Sequence, residues 1–182
     1  MNKLDKYKVR IESSNEDTLE FVSALITNSQ GNVLILKRRN DLKLDPDKYD
    51  LCSGHIKQGE NPIFSMLREL EEELNLKLEK INSITEVGTI STPHKKFLDT
   101  KCHIYHVMIN ISEEQINEMI KDVPEPEIKE AIFLEDLDVL RDLQKNSNLC
   151  RMEYTEELNE MYKKVELELE KAKTKEEKCE EK

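Results

Sequence analysis

The stretch GHIKQGENPIFSMLRELEEELNL, Gly54 to Leu76, constrains this chain more than any other part of it. It reads as a glycine-containing turn running into one helix. Asn61-Pro62 is a start signal, because an Asn side chain caps free N–H groups and Pro fits the first helical position. At about 100° per residue, Ile63, Met66, Leu67, Leu70 and Leu74 fall on one stripe, the face to be buried. Glu69, Glu72 and Glu73 fall on an adjacent arc, one turn apart. Three carboxylates so placed repel one another, and no Lys follows to offset them until Lys77. Hard oxygen donors at this spacing suit Mg2+ or Mn2+. For the helix alone, a solvated acidic face is the alternative.

The residues before the helix narrow that choice. The order is Gly54, five residues, Glu60, seven residues, then Arg68-Glu69-Leu70-Glu71-Glu72-Glu73-Leu74-Asn75-Leu76. This resembles the Nudix box, G-x5-E-x7-R-E-U-x-E-E-x-G-U, where U is a bulky aliphatic residue. One fixed position departs: Asn75 stands where the family has Gly. That position ends a helix and needs a left-handed residue, for which Asn is the usual second choice.

The resemblance implies a mixed α+β (α/β) fold, a mixed β-sheet sandwiched between helices. It also implies a metal-dependent hydrolase that cleaves a diphosphate linkage in a nucleoside diphosphate derivative or similar organic pyrophosphate. Carried over residue by residue, Glu69, Glu72 and Glu73 match the metal-binding glutamates, and Gly54 places a main-chain carbonyl near the metal. Arg68 matches the arginine that pairs with the first glutamate, Glu60, as structural support. Mg2+ or Mn2+ is the implied cofactor. The general base varies in the family, so Glu72 and Glu73 are candidates, with Glu127 and Glu130 outside the box. For the latter two, a plain surface acid is the alternative.

Substrate contacts are sought among the remaining polar clusters. Lys37, Arg38 and Arg39 end a strand beside the expected site. His94, Lys95, Lys96 and Lys101 form a second basic cluster, and His55 follows Gly54. Each could meet phosphate or simply be solvated. His103 and His106 are at odd separation in a strand, so they face opposite sides and cannot chelate one ion together.

The 182 residues suffice for one domain with a core and an appendage. A formal net charge of −11 argues against nonspecific nucleic-acid binding and calls for metal ions beside an anionic substrate. There is no apolar run of about 20 residues and no signal peptide, so no membrane association is expected. Cys52, Cys102, Cys150 and Cys179 are widely spaced without C-x-x-C and read as reduced thiols in a cytoplasmic protein.

Strands are expected at Leu19–Thr27, Val33–Arg38, Tyr49–Cys52, Ile84–Ser91, Cys102–Ile111 and Ile128–Leu134, with an edge strand around Tyr7, Val9 and Ile11. Ser112 and Gln115 resemble a capping box for a short helix, and Glu135–Leu143 reads as another. The expected domain is 1–148. Residues 149–182 form a Glu/Lys-rich helix with Leu158, Tyr162, Val165, Leu169 and Ala172 on a heptad-like stripe. That stripe packs on its own domain or at a homodimer interface.

Two rivals remain. Isopentenyl diphosphate isomerase, a relative of these hydrolases, has a Cys-Gly-His turn, whereas Cys52-Ser53-Gly54-His55 puts its cysteine one residue early. A non-catalytic nucleotide-binding Nudix domain would be expected to lose box glutamates, and all are present here.

Overall fold

The computed structural model describes residues 18–92, 99–146, 148–150, 152 and 154–180. The expected strand around Tyr7, the cluster at His94, Lys95 and Lys96, and the Cys179 side chain lie outside what is described.

Seven strands make one mixed sheet: β1 (Thr18–Thr27), β2 (Val33–Arg38), β3 (Tyr49–Asp50), β4 (Cys52–His55), β5 (Ile81–Thr92), β6 (Asp99–Ile109) and β7 (Ile128–Leu134). Among the described residues four α-helices cover it: α1 (Pro62–Leu74), α2 (Glu113–Lys121), α3 (Leu137–Gln144) and α4 (Glu156–Glu180). The parallel pair β1–β6 runs in unbroken register from Thr18↔Asp99 to Thr27↔Met108, and the other pairings are antiparallel. On its other side β1 meets β4 through Phe21–Ala24 and β2 through Ile26 and Thr27. Central strands are apolar on both faces because both are covered.

Strand alternation divides the core in two. Val22, Ala24, Ile26, Tyr105 and Val107 point to α1 and α2, where Met66, Leu70, Ile116 and Ile120 meet them. Leu25, Val33, Ile35 and Ile104 point to the opposite face, where α3 and α4 supply Leu140, Leu158, Tyr162, Val165 and Leu169. The stripe on the C-terminal helix therefore lies against this chain's own sheet. Gly88 of β5 allows the close approach, since a Cβ there would come within 2.6 Å of Met161 Cε. Tyr162 hydroxyl and Gln144 amide pair at 2.8–3.0 Å in the buried seam between α3 and α4.

The caps follow the residues. Asn61 accepts the Ile63 N–H at 3.1 Å and Pro62 opens α1. Asn75 ends that helix at φ 52° and ψ 28°, in the left-handed region, and the Leu76 N–H reaches back to the Leu70 carbonyl at 3.1 Å. Ser112 and Gln115 form the expected reciprocal capping box on α2. Leu67 differs from the expected stripe: it is half-buried and outside the cluster formed by Met66, Leu70 and Leu74. Strands β5 and β6 begin three residues earlier than expected, at Ile81 and Asp99. Their long antiparallel pairing extends both strands past the apolar run that marked them.

Candidate active site

Gly54 lies within β4, paired to Val22, and not in a turn as the sequence reading had it. Its requirement is space. The Glu69 side chain comes down from α1 onto this backbone, and a Cβ at Gly54 would fall inside the Glu69 carboxylate. Any other residue would push Glu69 away.

Arg68 organises the acids. Its guanidinium donates to Glu60 through Nε (3.1 Å) and Nη2 (3.0 Å), and Nη2 also donates to the His55 carbonyl at 2.9 Å. Nη1 reaches Glu69 at 2.5 Å and Glu72 at 3.2 Å. Glu60 further accepts the Ser65 hydroxyl (2.7 Å) and the Lys57 N–H (3.0 Å). The hydrogen bonds from Arg68, then that from Ser65, hold the Glu60 carboxyl down at about 2. One guanidinium thus ties the loop before α1, strand β4 and the helix together.

The three box acids differ in setting. Glu69 is 9% exposed. Glu72 is open to solvent, with Lys57 Nζ at 3.8 Å. Glu73 turns inward and accepts the Ser53 N–H at 3.3 Å. Burial pushes its carboxyl up to about 8, and the charges of Asp50 and Glu69 add to this. Asp50, 5% exposed, was passed over by sequence reasoning because it lies outside the box. Its short strand β3 carries it beside the cluster.

The donor set suits a hard divalent cation: carboxylates on one helix face, one of them seated on the Gly54 backbone. In the present rotamers Glu69 and Glu72 turn to Arg68. Among the described residues no three His, Cys, Asp or Glu side chains are grouped closely enough to hold an ion as they stand.

The other candidates are spread out. Arg38, 4% exposed, donates to the Leu44 and Asp45 carbonyls at 3.1 and 3.2 Å and meets Glu127 at 3.4 Å. Arg39 binds Asp41 at 2.5–2.9 Å and the Pro126 carbonyl at 3.2 Å. Together they tie the loop after β2 to the loop before β7. His55, one residue past Gly54, is turned to the other face of the sheet, its ring centroid 4.2 Å from that of Phe21. Cys52 is buried in the α1-side core, and Cys52 and Cys102 are free thiols.

A family model described as NUDIX domain matches residues 19–151, so the chain belongs to the Nudix family. It is 29% identical over 106 residues to an uncharacterised Nudix hydrolase from Nostoc sp., a match spanning 58% of this chain and 62% of that relative's length. Among solved structures, it is similar to a Caenorhabditis elegans Ap4A hydrolase in a binary complex (TM-score 0.57, 16% identity, 83% of this chain and 97% of that one). It is also similar to the Nudix domain of Shewanella oneidensis NrtR complexed with ADP-ribose (TM-score 0.50, 16% identity, 77% of this chain and 87% of that one). At these identities the likeness concerns the fold. Among the described residues no helix is long and apolar enough to cross a membrane.

Proposed function

We propose that this chain is a divalent-metal-dependent pyrophosphohydrolase that cleaves a diphosphate linkage in a nucleoside diphosphate derivative or similar organic pyrophosphate. The observation that carries the reading is the seating of the Glu69 carboxylate on Gly54, which only glycine permits. Glu69, Glu72 and Glu73, with the Gly54 carbonyl, would hold Mg2+ or Mn2+. Such an ion supplies neutralisation of the diphosphate oxygens and acidifies a bound water.

The protein's own residues do the rest. Arg68, braced by Glu60, fixes the spacing between α1 and β4 and steadies Glu69 through Nη1. Glu73, turned inward where it accepts the Ser53 N–H at 3.3 Å, is the favoured general base. Glu72 and Glu127 are its competitors for that role. Free thiols and a net charge of −11 support a reducing, cytoplasmic setting and a small anionic substrate brought in by metal.

The experiment is product analysis on a panel of nucleotide and organic diphosphates with Mg2+ and Mn2+. Release of phosphate or monophosphate products that stops on chelation is expected. Glu73→Gln is expected to lower turnover by about 100-fold or more. Unchanged turnover in that variant would show the assignment to be wrong. Isomerisation of isopentenyl diphosphate without hydrolysis would replace the hydrolase reading altogether.

A further inference from the structure

On the face of the sheet that carries α1, three residues stand in one row across neighbouring strands: Gly54 of β4, Val22 of β1 and His103 of β6. Two strand spacings place His103 about 10 Å from the glycine on which Glu69 sits. Tyr105, two residues on, points into the same core as Val22 and so fixes the side His103 faces.

A β-bulge brings the partner of this histidine into place. Thr89 pairs with His103 and Gly88 with Ile104, but the register then slips by one at Val87, so that Glu86 lies opposite Tyr105. Without the slip Glu86 would lie opposite His106, whose ring belongs to the other face. Instead Glu86 Oε1 takes His103 Nδ1 at 2.7 Å, and Glu86 Oε2 accepts the Tyr105 hydroxyl at 3.4 Å. A carboxylate only accepts, so Nδ1 carries the hydrogen, and in the uncharged form of the ring Nε2 presents a lone pair. Nε2 is buried and has no hydrogen-bond partner among the described residues. The residue is 8% exposed, and its side chain keeps 11% of its surface open. An orphaned acceptor in such a place is costly unless something satisfies it.

We infer that His103, oriented by Glu86, is a specificity residue that accepts a hydrogen bond from the group attached to the diphosphate, a sugar hydroxyl or a nucleobase N–H. This rests on the diphosphate site at Gly54 and Glu69. Its reach matches a nucleoside: about 10 Å from the carboxylate cradle lies beyond the phosphates and within the span of what they carry. Lys101, ion-paired to Glu20 at 3.3 Å, can only donate.

The test is binding in Mg2+ of methylenediphosphonate, ADP, 2′-deoxy-ADP and inosine diphosphate to the full chain. Wild type is expected to bind ADP more tightly than methylenediphosphonate. His103→Leu keeps an apolar body in the same space and removes the acceptor. It is expected to weaken ADP about tenfold and leave methylenediphosphonate unchanged. His103→Gln restores an acceptor and should recover most of the loss. Glu86→Ala, at an exposed position, should produce a smaller loss on ADP alone. The analogue whose affinity His103→Leu does not change identifies which donor is read. The inference is overturned if His103→Leu binds ADP like wild type, if it loses both ligands equally, or if wild type does not favour ADP. Failure of wild type to bind methylenediphosphonate at all would instead remove the diphosphate site beneath it.

Discussion

Arg68 and Glu60 face each other through two parallel hydrogen bonds, Nε to Oε1 at 3.1 Å and Nη2 to Oε2 at 3.0 Å. The Arg68 bonds hold the Glu60 carboxyl at about 2, from an ordinary 4.5, so the folded state binds fewer protons than the unfolded one between those values. The resulting stabilisation is complete above pH 4.5 and is lost as pH falls through about 2. Glu60→Gln should cost about 2 kcal/mol at pH 7, with the gap to wild type closing across that window. Urea melts from pH 7 to pH 2.5 measure it; a pH-independent gap would contradict the pairing.

Gly54→Ala tests the cradle. The added Cβ must displace the Glu69 carboxylate, which is the end of a flexible side chain, so the fold survives while the acid moves. Hydrolytic turnover on the substrate found by the panel should fall by about 100-fold, with Tm changed by only a few degrees. Full activity would mean that the position of Glu69 is immaterial.

Asn75 stands at φ 52°. Asn75→Ala should lower stability by about 1 kcal/mol, since alanine lacks the local hydrogen bonding that lets asparagine accept this conformation. Asn75→Gly should hold or raise stability. The two denaturant midpoints should bracket wild type or place it level with glycine.

Tyr162→Phe removes the hydroxyl that satisfies Gln144 at the seam between α3 and α4, where Gln144 is 1% exposed. The stranded amide should cost about 2 kcal/mol in chemical denaturation. Changing Gln144 to Leu in the same chain should return part of that loss, because both polar partners are then gone.

Much of this is legible in the sequence. The start and stop of α1 were carried by Asn61, Pro62 and Asn75, whose local chemistry acts within a few residues. The resemblance to the Nudix box likewise implies the pairing of Arg68 with Glu60. What escaped was what depends on pairing between distant strands. Gly54 read as a turn because glycine often marks one, whereas its cause is a side chain arriving from α1. Asp50 read only as one residue of the short strand Tyr49–Cys52, with nothing local to show that β3 sets it beside Glu73. Glu86 could not be matched to His103 by alternation, because a one-residue bulge is invisible to a period of two. Arg38 and Arg39 looked available to a substrate, and their local sequence gave no sign of the loop carbonyls and acids that engage them.

The parallel pair at the centre of the sheet joins Thr18 to Asp99 and Thr27 to Met108, segments separated by most of the domain. Closing that pair means closing a very long loop, an entropic cost met before its contacts are gained. Everything between, α1 and its acids included, is enclosed by that one closure. Amide protons of the β1–β6 pair, flanked by strands on both sides, should then exchange only through opening of the whole sheet, so that the platform beneath the acidic helix is as durable as the molecule itself.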